Sequence, residues 1–238
     1  IAPPDQTNVY SKAVPAVVAI RCLSADGKTG ALGAGSVIHA KGIVLTNVHV
    51  IKGADRCFVY FKPPGYEGLT RDTPVYAAIP LAADPTKDLA LLGLANPPKD
   101  MAVLPIGGMD RVNIGDEVHA IGHPVGNLWS YTKGVISQVR LQEHGVEPMV
   151  ADVIQTQTPI SPGNSGGPLL SAGAQLIGVN TFVRTDAQNV NFAVSVGEVK
   201  AFLARADEGQ HALKGVYPGS AKPGGEAGAP SPDKPQAK

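Results

Sequence analysis

The segment Ser161-Pro162-Gly163-Asn164-Ser165-Gly166-Gly167-Pro168 holds the residues best suited to chemistry in this chain. A serine set among glycines can take a tight turn that lifts its Oγ clear of the backbone. Gly163 has no Cβ, so its N–H can face an open pocket beside the N–H of Ser165. Two such donors make an oxyanion hole, which stabilises the charge that builds on a carbonyl oxygen during acyl transfer. Serine alone is a weak nucleophile: it needs a general base, and the base needs an acid to orient it. Both stand upstream, His49 in Thr46-Asn47-Val48-His49-Val50 and Asp88 at the head of Asp88-Leu89-Ala90-Leu91-Leu92. A lone histidine ending an apolar run is usually structural. Beside an acid and a serine loop it becomes the group that takes the Ser165 proton and delivers it to the leaving amine. Asp84 is the competing acid, but Pro85 marks a turn there. Asp88 opens an apolar run, where a carboxylate is costly to bury unless an imidazole bonds to it.

These side chains come from three distant segments, so the fold must bring them together. Six strand-like runs rich in Val, Ile, Leu and aromatic residues lie near 16–23, 33–39, 42–46, 56–61, 75–83 and 88–94. Asn96-Pro97-Pro98-Lys99-Asp100 reads as a linker, and six further runs follow near 117–121, 131–141, 149–155, 168–171, 175–182 and 190–194. Two sets of six strands predict an all-β protein of two six-stranded antiparallel barrels. A short helix over 7–14 should end at Pro15. A C-terminal helix over 196–206 is announced by Ser195 and Glu198 in a capping-box spacing, with Val199, Phe202 and Leu203 on one face. The expected organisation is barrel one over about 15–95, barrel two over about 101–195, then the helix. Residues 207–238 should form a disordered tail or linker: from 215 on there are five Gly and five Pro and few apolar side chains.

The order His, Asp, Ser is that of the chymotrypsin-type double barrel, and the chain resembles the protease domain of the HtrA/Deg family. The matching segments are Gly33–Ile38, Thr46–Val50, Asp88–Leu92, Ile121–Gly126, Gly134–Ser137, Ile154–Thr156, Ser161–Leu169 and Ile177–Thr181, in family order over roughly residues 8–205. The resemblance implies a serine endopeptidase of unfolded or damaged proteins, working through His49, Asp88 and Ser165, with Gly163 and Ser165 as oxyanion donors. It places the enzyme in the periplasm or cell envelope, with secretion or an organelle as alternatives, and in at most a trimer built on Val9, Tyr10 and Val14, a monomer being the near alternative. No counterpart of the family's PDZ domain is expected within these residues. Departures from its pattern fall outside the triad: Gln157 stands where an acid is usual, Ser161 where Asn is usual, and His123-Pro124 where Asn-Pro is usual. The competing reading is a catalytically silent HtrA-like scaffold or chaperone that binds extended peptides, which normally shows a lost triad residue; none is lost here.

Asn164 stands where zymogen-activated trypsins carry an aspartate that pairs with a newly cut N-terminal ammonium. It has no charge to pair, so the serine loop must be ordered by other means; the resemblance implies movements of the loops around 122–131 and 182–190. Six residues before Ser165, where trypsin has its specificity acid, stands Pro159. The resemblance implies that Thr181, Phe182 and Val183 form the other wall of the substrate pocket beside Ile160, which makes the preferred residue before the scissile bond apolar and aliphatic.

Composition excludes other classes. Lys+Arg 20 against Asp+Glu 20 gives no net charge to recruit nucleic acid or an anionic membrane, and no apolar run approaches the ~18 residues of a membrane span. Histidines 39, 119, 123, 144 and 211 lack convincing metal-ligand spacing, so neither metal nor cofactor is expected. Trp129 and Tyr131 read as packing residues. Cys22 and Cys57 fall on the first and fourth strands, which are neighbours in a barrel of the family's type; a cross-strand disulfide and two buried free thiols both remain open.

Overall fold

The computed structural model describes residues 8–65, 68–146, 148–183 and 189–207. Its first closed barrel runs in the order β1-β2-β3-β6-β5-β4, built from β1 (Val17–Leu23), β2 (Gly30–His39), β3 (Ile43–Thr46), β4 (Arg56–Phe61), β5 (Tyr76–Asp84) and β6 (Leu89–Leu94). The second, β10-β11-β12-β9-β8-β7, contains β7 (Glu117–Gly122), β8 (Ser130–His144), β9 (Val150–Thr156), β10 (Pro168–Ser171), β11 (Leu176–Val183) and β12 (Asn191–Ser195). All neighbouring strands pair antiparallel. Closure leaves neither sheet an open edge. Twelve strands stand where twelve were expected, each within a few residues.

Burial explains which runs became strands. β1 and β12 are apolar on both faces, and nearly every residue of them is buried, since one face fills a barrel and the other packs outward against neighbouring elements. β8 alternates between half-buried and exposed residues along much of its length, with Ile136 buried, as a strand with one wet face must. Pro80 sits at a register shift between β5 and β6, a place where a missing N–H is tolerated.

The cysteines are paired. Cys22 faces Cys57 across the β1–β4 ladder, and a disulfide joins them, spanning a sequence separation of 35.

The helices adjust the expectations. α1 (Val9–Ala13) is capped by Asn8, whose Oδ1 accepts from Ser11 N at 2.8 Å; Pro15 then sits in a following 3-10 turn, Val14–Ala16. α2 (Val48–Ile51) is a single turn that was not anticipated. α3 (Val196–Asp207) starts at Ser195, whose Oγ accepts from Glu198 N at 3.4 Å. The other half of the capping box differs: Glu198 Oε1 accepts from Lys87 Nζ at 2.7 Å and Asp152 N at 3.0 Å. A neighbouring ammonium is a stronger partner for a carboxylate than the helix's own first N–H. The tail expected beyond 207 lies outside the described residues.

The barrels meet through backbone and side-chain bonds. Leu104 N donates to Val37 O and Ala34 N to Ser165 O, both at 2.8 Å. Trp129 Nε1 donates to Val17 O at 2.9 Å, and His123 Nε2 to Val18 O at 3.1 Å. The cleft between the barrels therefore has fixed walls.

Candidate active site

His49 is carried on α2 at the end of β3, with its ring 46% exposed. Its Nδ1 lies 2.7 Å from Asp88 Oδ2, and its backbone N–H donates to Asp88 Oδ1 at 3.0 Å. Nδ1 carries the proton in this arrangement, because a carboxylate only accepts. Nε2 is then the basic nitrogen, as a general base requires.

Asp88 sits in a left-handed conformation, φ 52°, unusual for a residue with a side chain. Several bonds hold it there. Asn47 Nδ2 donates to the Asp88 carbonyl at 2.7 Å, and Thr181 Oγ1 donates to Asp88 Oδ2 at 2.7 Å. Backbone strain of this kind persists only where its surroundings over-determine it. Asp84, the competing acid, is used elsewhere: Oδ1 caps its own turn through Thr86 N and Lys87 N, and Oδ2 accepts from Arg205 at 3.0 Å.

Ser165 lies on the turn before β10. Its carbonyl accepts from Ala34 N of β2, and among the described residues its hydroxyl donates to Thr181 O at 3.4 Å rather than to His49. The latter contact is long for two oxygens, and catalytic hydrogen bonds often tighten only when substrate arrives. Gly163 has φ 102° and Gly166 φ 82°. A Cβ at Gly163 would run into His123 O, and one at Gly166 into Thr46 Oγ1 and Ala34 O. Both positions therefore require glycine.

The donors between Gly163 and Gly167 fall into two sets. Asn164 N bonds to Ser161 O, Gly166 N to Asn180 O and Gly167 N to Asn164 O. Among the described residues, Gly163 N and Ser165 N make no hydrogen bond. An N–H left unpaired in a packed turn is costly unless water or a ligand meets it.

Asn164 is buried, and its Nδ2 reaches Pro159 O at 3.5 Å, a marginal bond. The turn is ordered instead from the 122–129 segment. His123 N donates to Gly163 O at 3.2 Å and Val125 N to Pro162 O at 3.0 Å. His123 itself is fully buried, accepting from Trp129 N at Nδ1 at 3.0 Å. Burial pushes its imidazole down to about 4, against a smaller upward pull from the Val18 carbonyl. Sequence reasoning named the loop around 122–131 as a means of ordering the serine turn, but noted the His123 side chain only as a departure from a pattern and a histidine without metal-ligand spacing.

The pocket residues fare differently. Ile160 is buried beside the turn. Thr181 was assigned to the pocket wall, but its hydroxyl turns to Asp88 because the carboxylate offers the stronger acceptor. The side chains of Phe182 and Val183 lie outside the described residues, as does the segment 184–188. His119 stacks on Tyr131 and bonds to its hydroxyl at 2.6 Å, so it has no common site with His123. Among the described residues no group of three or more His, Cys, Asp or Glu is placed to hold a metal, and no helix is long and apolar enough to cross a membrane.

Two closed antiparallel barrels with a His–Asp pair and a glycine-framed serine between them define the trypsin-like class. Residues 33–179 match the family model of the trypsin-like peptidase domain, and the chain belongs to that family. Its relatives are HtrA/Deg serine proteases. It is 36% identical over 171 residues to the putative serine protease HhoA of Synechocystis sp., covering 71% of this chain and 41% of that one. It is 33% identical over 208 residues to the mitochondrial serine protease HTRA2 of Bos taurus, covering 84% and 43%. Among solved structures it resembles the HtrA-type protease AlgW with tripeptide, with a TM-score of 0.73 and 31% identity over 87% of this chain and 65% of that one. The chain thus spans less than half the length of these two curated relatives.

Proposed function

We propose that the chain is a serine endopeptidase that hydrolyses unfolded or damaged polypeptides through an acyl-enzyme. Ser165 Oγ attacks the scissile carbonyl while His49 Nε2 takes its proton; His49 then gives that proton to the leaving amine. Water, activated by the same imidazole, releases the acyl group from Ser165. Asp88 orients His49 and balances the imidazolium. The observation that carries the reading is the division of donors between Gly163 and Gly167: Asn164 N, Gly166 N and Gly167 N are bonded, whereas Gly163 N and Ser165 N make no hydrogen bond among the described residues, where an oxyanion would need them. The supporting observation is the His49–Asp88 contact at 2.7 Å.

The preferred residue before the scissile bond is aliphatic, since Pro159 and Ile160 stand where a charge-selecting acid would be needed. Substrate backbone would pair along Thr181–Val183 of β11. The Cys22–Cys57 disulfide suits the periplasm or another oxidising compartment. Assembly through the α1 segment extends no further than a trimer; Tyr10 already donates to Trp129 O at 3.2 Å within the protomer, and Val14 is buried there. Light scattering measures this.

Reaction with a fluorophosphonate probe tests the mechanism. The adduct should map to Ser165 by mass, and Ser165→Ala should lose about 10⁶ in kcat on casein while keeping its melting temperature. An unmodified Ser165, or casein cleavage undiminished in Ser165→Ala, would favour the peptide-binding scaffold instead. Library digestion should show cuts after aliphatic residues; cuts after Arg or Lys would contradict the pocket assignment.

A further inference from the structure

The segment that seats the serine turn, residues 123–129, is held in a strained shape. Val125 and Trp129 stand in the left-handed region, at φ 45° and 52°. A side chain disfavours that conformation, which persists only where surrounding contacts impose it. The Val125 side chain is 76% exposed and supplies few such contacts. Trp129 supplies more: it is buried, and its backbone N–H, indole N–H and carbonyl all take part in hydrogen bonds. The backbone N–H meets His123 Nδ1 inside the segment, and the indole meets Val17 O of β1. The carbonyl accepts from the Tyr10 hydroxyl at 3.2 Å. The Tyr10 ring also meets Tyr131 edge-on, with centroids 5.8 Å apart, and Tyr131 is backed by His119 stacked on its face. α1 therefore holds this end of the segment through one hydrogen bond and one ring contact.

The other end of the segment reaches the chemistry. Val125 N donates to Pro162 O at 3.0 Å and His123 N to Gly163 O at 3.2 Å. Pro162 O and Gly163 N belong to one planar peptide group, in which the two point in opposite directions. Fixing the oxygen on Val125 N therefore aims the Gly163 N–H, one of the two donors that the oxyanion needs. With the oxygen released, the peptide can turn and carry that N–H away. A left-handed residue thus supplies the bond that orients the donor, and α1 grips the second left-handed residue four positions on.

We propose that α1 is a latch on the oxyanion turn and that Tyr10 is its positioning residue. By holding Trp129 and Tyr131 it keeps segment 123–129 in the shape that sets the Pro162–Gly163 peptide. The proposal rests on the proteolytic reading above. Zymogen-activated trypsins order this turn with a charged pair; Asn164 offers no charge, and neutral contacts from the N-terminal helix take over the task. The cost of two left-handed residues is of the same order as the few bonds that oppose it. One bond fewer therefore shifts the balance between seated and released turn, by about three- to tenfold for a neutral hydrogen bond. The shift appears in kcat, because the oxyanion donors act on the transition state and not on the bound substrate.

The test is Tyr10→Phe, which removes the hydroxyl and leaves the ring edge on Tyr131. Trp129 is the only tryptophan of the chain, so its fluorescence reports on the segment directly. On a peptide with leucine before the scissile bond, kcat should fall about three- to tenfold with KM little changed. A peptide boronate of the same sequence, whose tetrahedral adduct on Ser165 places an oxygen in the oxyanion hole, should lose affinity by the same factor. The product peptide should bind as it does to the wild type. Trp129 emission should move to longer wavelength in the free variant and return to the wild-type position when the boronate saturates it. Wild-type kcat and boronate affinity in Tyr10→Phe would overturn the latch and leave the proteolytic reading intact. So would a loss that the product peptide shares in full, or an emission shift that the boronate does not reverse, since either makes Tyr10 a structural residue only. A wild-type protein that neither cleaves the peptide nor takes the boronate would overturn both.

Discussion

Thr181 Oγ1 donates to the same Asp88 carboxylate oxygen, Oδ2, that receives His49 Nδ1, both at 2.7 Å. The Thr181 carbonyl meanwhile accepts the Ser165 hydroxyl at 3.4 Å. One residue of β11 therefore couples Asp88 to Ser165. Thr181→Val keeps the shape and removes the donor. A hydrogen bond to a charged group contributes about 1.5–3 kcal/mol, so kcat should fall about ten- to hundredfold with KM little changed, and Thr181→Ser should restore most of it. Steady-state kinetics on one peptide substrate with the three proteins checks this; Thr181→Val with wild-type kcat would make the contact incidental.

The serine turn and the strands were legible in the sequence because their causes are local. Gly163 and Gly166 have no substitute at positive φ with backbone pressed against them, and period-two burial or continuous apolar runs mark strands. Three features were not legible. The turn α2 hides inside an apolar run, Val48–Ile51, that reads equally well as strand. Glu198 was read from a capping spacing, whereas a lysine 111 residues away in sequence claims its carboxylate. The bond from the Thr181 hydroxyl to Asp88 was unforeseen, because the resemblance that puts Thr181 at the pocket wall gives the strand but not which way a side chain turns beside a buried carboxylate. The Glu198 and Thr181 contacts are long-range and polar, and no window of sequence contains them.

The Lys87–Glu198 contact makes its own prediction. Lys87, next to Asp88, donates to Glu198 Oε1 at 2.7 Å and to Val150 O at 3.0 Å, with both side chains of the ion pair largely buried. Val150 N returns a bond to Thr86 O at 2.8 Å. The segment presenting Asp88 is thereby pinned to the second barrel and α3. Glu198→Ala strands a mostly buried ammonium and should cost about 3–5 kcal/mol, the range for breaking one side of a buried pair. Glu198→Gln keeps an acceptor for Lys87 and Asp152 N and should cost less. Urea denaturation gives the stabilities. kcat should follow them downward if the pin sets the position of Asp88, and stay level if the pair is only structural.

His123 gives the clearest pH dependence. Its Nδ1 accepts from Trp129 N and its Nε2 donates to Val18 O, which fits the neutral ring; a proton added at Nδ1 would displace the Trp129 N–H. Burial holds the imidazole down at about 4, against 6.5 in the unfolded chain. Between those values the unfolded state binds a proton that the folded state refuses. The stability due to the buried neutral ring is therefore complete above about pH 6.5 and is lost as pH falls toward 4, at about 1.4 kcal/mol per pH unit and about 3 kcal/mol in all. His119, also held down by burial, acts in the same direction, so the comparison must isolate His123. His123→Asn retains a donor and an acceptor without a titrating group. Its melting temperature should decline less than that of the wild type between pH 7 and pH 4.5, and the two curves should converge toward acid. Parallel curves would mean that the proton reaches His123 in the folded protein and that the serine turn is seated without its neutral ring.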